Sequence, residues 1–512
     1  MTSEHFDAIV IGSGMGGLTT ASLLTQIAKQ RVLVLEKHFK LGGFTHSFRR
    51  HEFEWDVGVH YVGQMQKGSL MRRMMDLVTG GAVDWQPMGD IYERYSFPGK
   101  SFEVPKGESA FRSQLIAEFP QERTAIHEYF RDIRKAQTWM NHWFLSKAVP
   151  QWLGNWMLIA GKQRALSRTQ DQLTRFKDPL VRAILTAQWP DYGSPPDESA
   201  FGFHATVSAD FYDGGYFPIG GSKMIAQAAR GVIETGGGQC LVNRDVREII
   251  LDRGRAVGVR VIHKGKTYEY FAKTIVSNAG GVNTFTKMIP AEVQAPEREI
   301  ACRVQPGISA LMVFVGLHDD PRNHGFDDAN YWIYRRIDHD MQARKRENDP
   351  DRIDGVFVSF GSVRDPQQTH HTAQIISFSE SDRWKPYSQT QWMRRGEDYD
   401  TLKEKTMQAM VNVANDALPG LDKLIKYKEL ATPLTVNSFT QHPNGAVYGQ
   451  PCNARRLTVD QWRAETSIPG LYLTGSDVGS PGVNGAMMGG AMTTARILGT
   501  FGLPRILMRA YR

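Results

Sequence analysis

Gly12, Gly14 and Gly17 stand in a G-x-G-x-x-G spacing inside "FDAIVIGSGMGGLTT", residues 6–20, and Glu36 follows 24 residues after Gly12. Glycines so spaced bring an anion against bare backbone. The first permits a tight turn, the second lets a pyrophosphate approach, and the third lets a helix pack closely on a strand. An acid at the later position can accept hydrogen bonds from the hydroxyls of an adenosine ribose. This is the chemistry of dinucleotide binding. The doublet Gly42-Gly43 offers a second close approach of backbone, since paired glycines carry no side chains to prevent it.

These residues need elements to hold them. Residues 7–12 are a short β-branched run suited to a buried parallel strand, 17–29 read as a helix, and 31–36 as a second strand. The helix N-terminus then faces the anion with its free N–H groups and its dipole. A second piece runs through residues 214–280. There "GGYFPIGGSKMIAQAARGVIETGGG" predicts a turn, an N-cap at Ser222 and a helix ended by Gly236 to Gly238. Strands are expected at 246–251, 256–262 and 267–272, with a fourth ending at "SNAG", residues 277–280. The third piece is "GLYLTGSDVGSPGVNGAMMGGAMTTARIL", with a strand at 471–474, a turn at Gly475, Asp477 at the strand's carboxyl end and a helix at 485–498. Ligands of open α/β sheets sit at such carboxyl ends. Asp477 can hold a ribityl hydroxyl there, and the helix N-terminus can face a flavin pyrimidine.

The three pieces predict an α/β, Rossmann-like, three-layer dinucleotide domain built discontinuously from residues 1–63, 214–282 and 439–512. The expected α+β substrate domain comprises 64–213 and 283–438. Composition narrows the class further. The chain has 512 residues, 41% of them hydrophobic and 22% charged, which is ordinary for a globular protein. No apolar run is long enough for a membrane-spanning helix, and a strand starting at residue 7 leaves no space for a signal peptide. Cys240, Cys302 and Cys452 are far apart, show no metal-ligand spacing and fit a reducing compartment, so no metal is expected. A net charge of +7 without a concentrated basic run excludes a nucleic-acid partner.

Together these motifs resemble the FAD-dependent phytoene desaturase, carotenoid isomerase and retinol saturase family. The likeness rests on the fingerprint with Glu36, on Gly42-Gly43, "GGYFPIGG", "VREI" and "GRAVGVRV", "VSNAG" and "LYLTGSDV"; "VGVHYVG", residues 57–63, looks closest to the retinol saturase branch. The resemblance implies FAD as cofactor. It implies a site formed by Gly12, Gly14, Gly16, Gly17, Glu36 and Lys37 at the adenosine and pyrophosphate, with Gly42 and Gly43 nearby. Val246 offers its backbone to adenine, and Asn278, Gly475, Asp477, Asn484, Gly485 and Ala486 complete the cradle. Only one complete fingerprint is present, so the electron partner is left open among a free nicotinamide, a quinone and another protein.

On the substrate side, few reactive polar groups lie between the motifs, which points to an apolar substrate and a tunnel aimed at the cofactor. Chemistry at a carbon–carbon double bond also needs a proton partner. His60 and Tyr61 are the leading catalytic candidates, with His46, His204 and Tyr448 behind them. Asn484 and Met487-Met488 are placed beside the cofactor ring or in the core. The charged run "RRHEFEWD", residues 49–56, reads as a solvated strand edge rather than a carboxylate pair. Trp139, Trp143, Trp152 and Trp156 fall at four-residue spacing about Pro150. Two readings fit them: packing into the substrate domain, or peripheral membrane contact assisted by Lys147, Lys162 and Arg164 and by the basic C-terminus.

The expected protein is a cytoplasmic flavoenzyme, peripheral to a membrane if the tryptophans reach lipid. It acts on double bonds of a lipophilic polyene, carotenoid, retinoid or unsaturated acyl chain, with saturation ahead of desaturation. Redox-neutral cis–trans isomerisation is an alternative. So are a lipid or prenyl carrier of the GDP dissociation inhibitor type, and an amine oxidase.

Overall fold

A computed structural model describes residues 5–348, 352–379, 381–458 and 461–512. Among these residues the strands form two seven-stranded sheets, a three-stranded sheet and a two-stranded hairpin. In the first large sheet, His5–Ile11 pairs in parallel with Val32–Leu35 on one side and with Lys266–Ser277 on the other. Gln239–Leu241 extends the sheet beyond Val32–Leu35. Period-two alternation assigns its faces. Ala8, Val10, Val32 and Val34 pack against the helices Met15–Ala28, Lys223–Thr235 and Gly482–Ile497. Ile9, Ile11, Leu33 and Leu35 face the opposite layer, which holds Val246, Val259, Phe285 and Trp462.

Lys266–Ser277 is one strand where two were expected. Its first half pairs antiparallel with Arg255–His263 and its second half in parallel with Leu471–Leu473, so one continuous strand serves both partners. The helix expected at 485–498 begins at Gly482, three residues earlier, which shortens the glycine-rich loop. Ser222 occupies the N-cap position, but its hydroxyl donates to Asp56 (2.8 Å) instead of capping the helix.

The second large sheet runs in the order Ile425–Ala431, Ser309–Leu317, Thr372–Ser379, Gly355–Ser359, Asn330–Tyr334, Ile91–Phe97 and Lys100–Pro105. All of its pairings are antiparallel except that between Asn330–Tyr334 and Ile91–Phe97. Every residue of Ser309–Leu317 is buried, because both faces are covered. Leu311, Val313 and Val315 pack on the helix Glu397–Ala417, while Ala310, Met312 and Phe314 face the interior of the molecule with Trp332 and Phe357.

Packing does not follow the sequence boundaries drawn at 63 and 282. Leu70–Thr79 buries Met74, Met75 and Val78 in the nucleotide-side core, and Phe285, Ile289 and Ala301 do the same on its other face. The hairpin Ser47–Arg50/Phe53–Asp56 inserts Phe53 and Trp55 into the substrate-side core, where the Trp55 indole donates to Val315 O (3.0 Å). This is the "RRHEFEWD" run. It is a strand, as expected, but its Asp56 is enclosed rather than solvated. That carboxylate accepts from Ser222 N (2.9 Å) and Ser47 Oγ (2.9 Å), and burial pushes it up to about 6.

The tryptophan series divides. Trp139 and Trp143 are 2% and 1% exposed, with indoles donating to Leu158 O and Leu457 O, whereas Trp152 and Trp156 are 73% and 70% exposed. Lys147 does not reach solvent as the membrane reading required. It is buried, and its ammonium donates to Trp462 O (2.9 Å). Among the described residues no helix is long and apolar enough to cross a membrane.

Candidate functional site

Three distant pieces of chain meet at the fingerprint, and glycine lets them meet. Gly12 turns with φ of 89° while its N–H donates to Leu35 O (2.8 Å). A methyl group on Gly14 would sit 2.8 Å from Asn278 Nδ2, and one on Gly43 would sit 3.1 Å from Gly14 Cα. On Gly16 it would collide with Gly475 Cα, and on Gly17 with Gly12 O. Helix Met15–Ala28 has no side-chain cap and no acid in its first turn, so its leading N–H groups and dipole are left for an anion.

Glu36 organises this loop. Its Oε2 accepts from Ser13 N (2.8 Å) and Ser13 Oγ (2.6 Å), and its Oε1 accepts from His38 N (2.8 Å). Ser13 Oγ in turn accepts from Gly42 N (3.0 Å), which ties the glycine doublet to the fingerprint. A carboxylate has about four acceptor positions, so one remains for a ligand. Lys37 stands 3.6 Å from Asp245. Lys37, Val246, Arg244 and Lys287 line the same cavity as Glu36.

The C-terminal piece closes the other side. Asp477 ends the turn Gly475–Asp477 and accepts from Gly281 N (2.8 Å) through Oδ2; its neighbour Ser476, not Asp477 itself, lines the cavity. Helix Gly482–Ile497 also starts without a side-chain cap or an early acid, and Gly482, Val483 and Ala486 line the cavity. Asn484 instead donates to Gly63 O (3.0 Å), and Gly485 packs on Ser480. Met487 and Met488 pack into the nucleotide-side core, which resolves their placement in favour of packing.

From these loops a single cavity of about 860 Å³ extends to the inner face of the substrate sheet, reaching Met312, Phe314, Trp332, Phe357 and Phe378. His60, His46 and Tyr448 line it; Tyr61 and His204 do not. His46 Nδ1 lies 2.5 Å from Gly43 O, and burial pushes the ring down to about 4. Burial, aided by the charge of Arg364, pushes His60 down to about 3, and among the described residues its ring makes no hydrogen bond. Both rings are neutral at pH 7. His204 is a structural residue, held between the hydroxyls of Tyr129 and Tyr192. Tyr61 stacks on Phe211 (4.1 Å between centroids) and donates to Asp191 Oδ2 (2.7 Å).

Sequence reasoning missed the buried polar group behind this wall. Asp191 lines the cavity, and Glu93 lies just behind it. Glu93 accepts from Trp332 Nε1 (2.5 Å), Gln188 Nε2 (3.1 Å) and Asn330 Nδ2 (3.3 Å). Arg364, also buried, donates to Asn330 Oδ1 (2.6 Å), Ser359 Oγ (2.9 Å) and His60 O (2.7 Å). Neither acid belongs to a motif. The one local signal is the charge of Glu93 inside the aromatic strand "IYERYSF".

The fold and the glycine-lined cavity define a dinucleotide-binding oxidoreductase. Residues 10–77 match the NAD(P)-binding Rossmann-like domain family. The all-trans-retinol 13,14-reductase of Macaca fascicularis is 31% identical over 97% of this chain and 86% of its own length. Prolycopene isomerase 1 of an Oncidium hybrid cultivar is 27% identical over 98% of this chain and 85% of its own. The crystal structure of a Methanosarcina mazei oxidoreductase superposes with a TM-score of 0.64 at 15% identity, covering 95% of this chain and 99% of that one, and so shares the fold. The chain belongs to the family that contains the retinol saturases, the all-trans-retinol 13,14-reductases. It is a redox enzyme acting on a lipophilic substrate, and the carrier reading gives way.

Proposed function

We propose that this enzyme binds FAD and saturates a carbon–carbon double bond of a lipophilic polyene, such as a retinoid, a carotenoid or an unsaturated acyl chain. One observation carries the reading: a continuous cavity joins the glycine loops to an aromatic and methionine wall. The residues fit FAD. Uncapped helix N-termini at Met15 and Gly482 open on the cavity, one suited to the pyrophosphate and the other to an electron-rich ring edge. Glu36 and Val246 would hold the adenosine, with Lys37 beside them. Bound there, FAD supplies a two-electron centre that gives hydride to carbon or takes it away. The chain's own work is to exclude water, to aim one substrate carbon with Met312, Trp332 and Phe357, and to manage a proton at the neighbouring carbon.

The kinship with a prolycopene isomerase favours a second reading, redox-neutral cis–trans isomerisation in the same cavity. Mass spectrometry of candidate polyenes and host lipids after anaerobic incubation separates the two. A gain of two hydrogens with reduced, flavin-loaded protein is expected; a loss with oxidised protein indicates desaturation. An unchanged mass with shifted retention establishes isomerisation instead. The protein is assigned to the cytoplasm, and the exposed Trp152, Trp156 and Ile159 support its contact with a membrane surface.

A further inference from the structure

Asp191 lines the cavity together with Trp332, Phe357 and Tyr448, and unlike Glu429, which Arg50 and Tyr427 hold, it bears no ion pair among the described residues. It adjoins the cofactor end through a short chain of contacts. Its partner Tyr61 precedes the Val62–Gly63 strand, and Gly63 O accepts from Asn484 of the helix whose N-terminus opens on the same cavity. We propose that Asp191 is the proton donor of this site, positioned by Tyr61 and backed by Glu93, an inference that rests on the saturase reading above.

The step balances. Reduced FAD, when bound, would supply one alkene carbon with a hydride, two electrons with their proton, and would itself be oxidised. The adjacent carbon receives the proton of the Asp191 carboxyl, and the π bond becomes two C–H bonds. Asp191 is left as a carboxylate that the Tyr61 hydroxyl stabilises at 2.7 Å, and it regains a proton from water when product leaves.

The surroundings hold a share of the acid protonated at neutral pH. Burial pushes Asp191 up to about 7. Glu93, pushed up to about 8 by burial and by Asp191, sets the second carboxyl behind it. Gln188 Nε2 bridges the two sides, donating to Tyr61 Oη (3.3 Å) and to Glu93 Oε1 (3.1 Å). The other titratable groups that feel Asp191 are the phenols of Tyr92, Tyr95 and Tyr448, all pushed upward by burial and therefore neutral. Arg364 is the buried cation near Glu93 and Tyr61. His60 cannot take the donor role as a cation, since its ring is neutral at pH 7.

The test uses the flavin-loaded enzyme, reduced anaerobically and mixed with the polyene identified by mass spectrometry, with flavin reoxidation followed by absorbance across pH. The wild-type rate should fall as pH rises through about 7. Asp191→Asn should slow it at least ~100-fold, the scale of general acid catalysis, and abolish that pH limb while flavin content stays unchanged. Tyr61→Phe keeps the ring but removes the hydrogen bond that lowers the acid, so its limb should move to higher pH. Independently of turnover, infrared difference spectra at pH 7 should show protonated-carboxyl absorption that Asp191→Asn diminishes, the remainder belonging to other raised acids such as Glu93. A wild-type enzyme that saturates polyenes while Asp191→Asn keeps its rate and pH limb overturns the inference and leaves the saturase reading intact. A wild-type enzyme that saturates nothing overturns the saturase reading, and the donor assignment falls with it.

Discussion

At the nucleotide side, backbone touches backbone; at the substrate side, side chains touch side chains. Gly16, Gly17 and Gly489 meet neighbouring backbone at separations that no Cβ would allow. The wall opposite is built from Met312, Phe314, Trp332 and Phe357, residues that touch one another through volume and ring geometry. The first kind of contact specifies residue identity, because only glycine fits. The second specifies total volume and polarity, and tolerates exchange among apolar residues. A fold with this division can keep one cofactor cradle while its wall is remodelled for different substrates.

The largest effect should come from filling a backbone contact. Gly16→Val would drive a side chain into Gly475 Cα and against Asn278 Oδ1. Overpacking of this kind costs about 3 kcal/mol or more, and flavin retention should be lost with it. Met312→Leu, which conserves volume in the wall, should cost under about 1.5 kcal/mol and keep the flavin. Urea melts with flavin absorbance check both. Equal losses in the two variants would erase the distinction between the halves.

Asp477→Ala probes the seam between them. Its carboxylate holds Gly281 N–H at 2.8 Å, and loss of a charge-assisted hydrogen bond costs about 1–3 kcal/mol. If Asp477 also serves the cofactor, the FAD dissociation constant rises by a comparable factor. A lower Tm with an unchanged Kd assigns Asp477 to the loop alone.

The same division explains what the sequence disclosed. Gly12, Gly14 and Gly17, Glu36 and Gly475 were legible because backbone geometry imposes fixed spacings, and the three pieces of the nucleotide sheet followed from them. The substrate sheet carries no such spacing. Its strand Ser309–Leu317 is buried on both faces and shows no alternation to read. Asp191 and Glu93 become a site only when residues distant in sequence close around them, and Tyr61 drew attention through its motif while its partner 130 residues away did not. Even Glu36, anticipated for the ribose, spends most of its acceptors on Ser13 and His38, a duty that no spacing announces.

The buried acids of the substrate side also predict a pH response. Asp191 and Glu93 titrate near 7 and 8 in the folded protein, against about 4 for free carboxyls. Raised values mean that the folded state holds protons the unfolded chain has released. The stability they contribute is present below about pH 4 and is lost as pH rises through about 8. His46 and His60, pushed down to about 4 and 3, act in the opposite sense, with stability lost as pH falls below about 6.5. Glu93→Gln should therefore flatten the alkaline decline of Tm by a few degrees (~3 °C) and leave the acid limb unchanged. A variant whose alkaline limb matches wild type would show that Glu93 is not protonated in the folded enzyme.

The smallest effect on stability should come from the outer pair of the tryptophan series. Four-residue spacing made Trp139, Trp143, Trp152 and Trp156 look alike, because helical period reports that residues share a face and not what that face meets. The break at Pro150 decides it. The long helix Arg123–Ser146 carries its two indoles into the interior, and the short helix Gln151–Met157 turns its two outward. Trp143→Ala should cost about 3–5 kcal/mol as a core truncation. Trp152→Ala with Trp156→Ala should stay within about 0.5 kcal/mol per site, as exposed substitutions do. If these rings sit at a bilayer surface, the double variant should lose co-sedimentation with anionic vesicles while its melting curve and flavin content stay those of wild type. Unchanged co-sedimentation would move any lipid contact away from this helix. A destabilised double variant would show that the exposed pair packs against something after all, and that the two halves of the series differ less than their burial suggests.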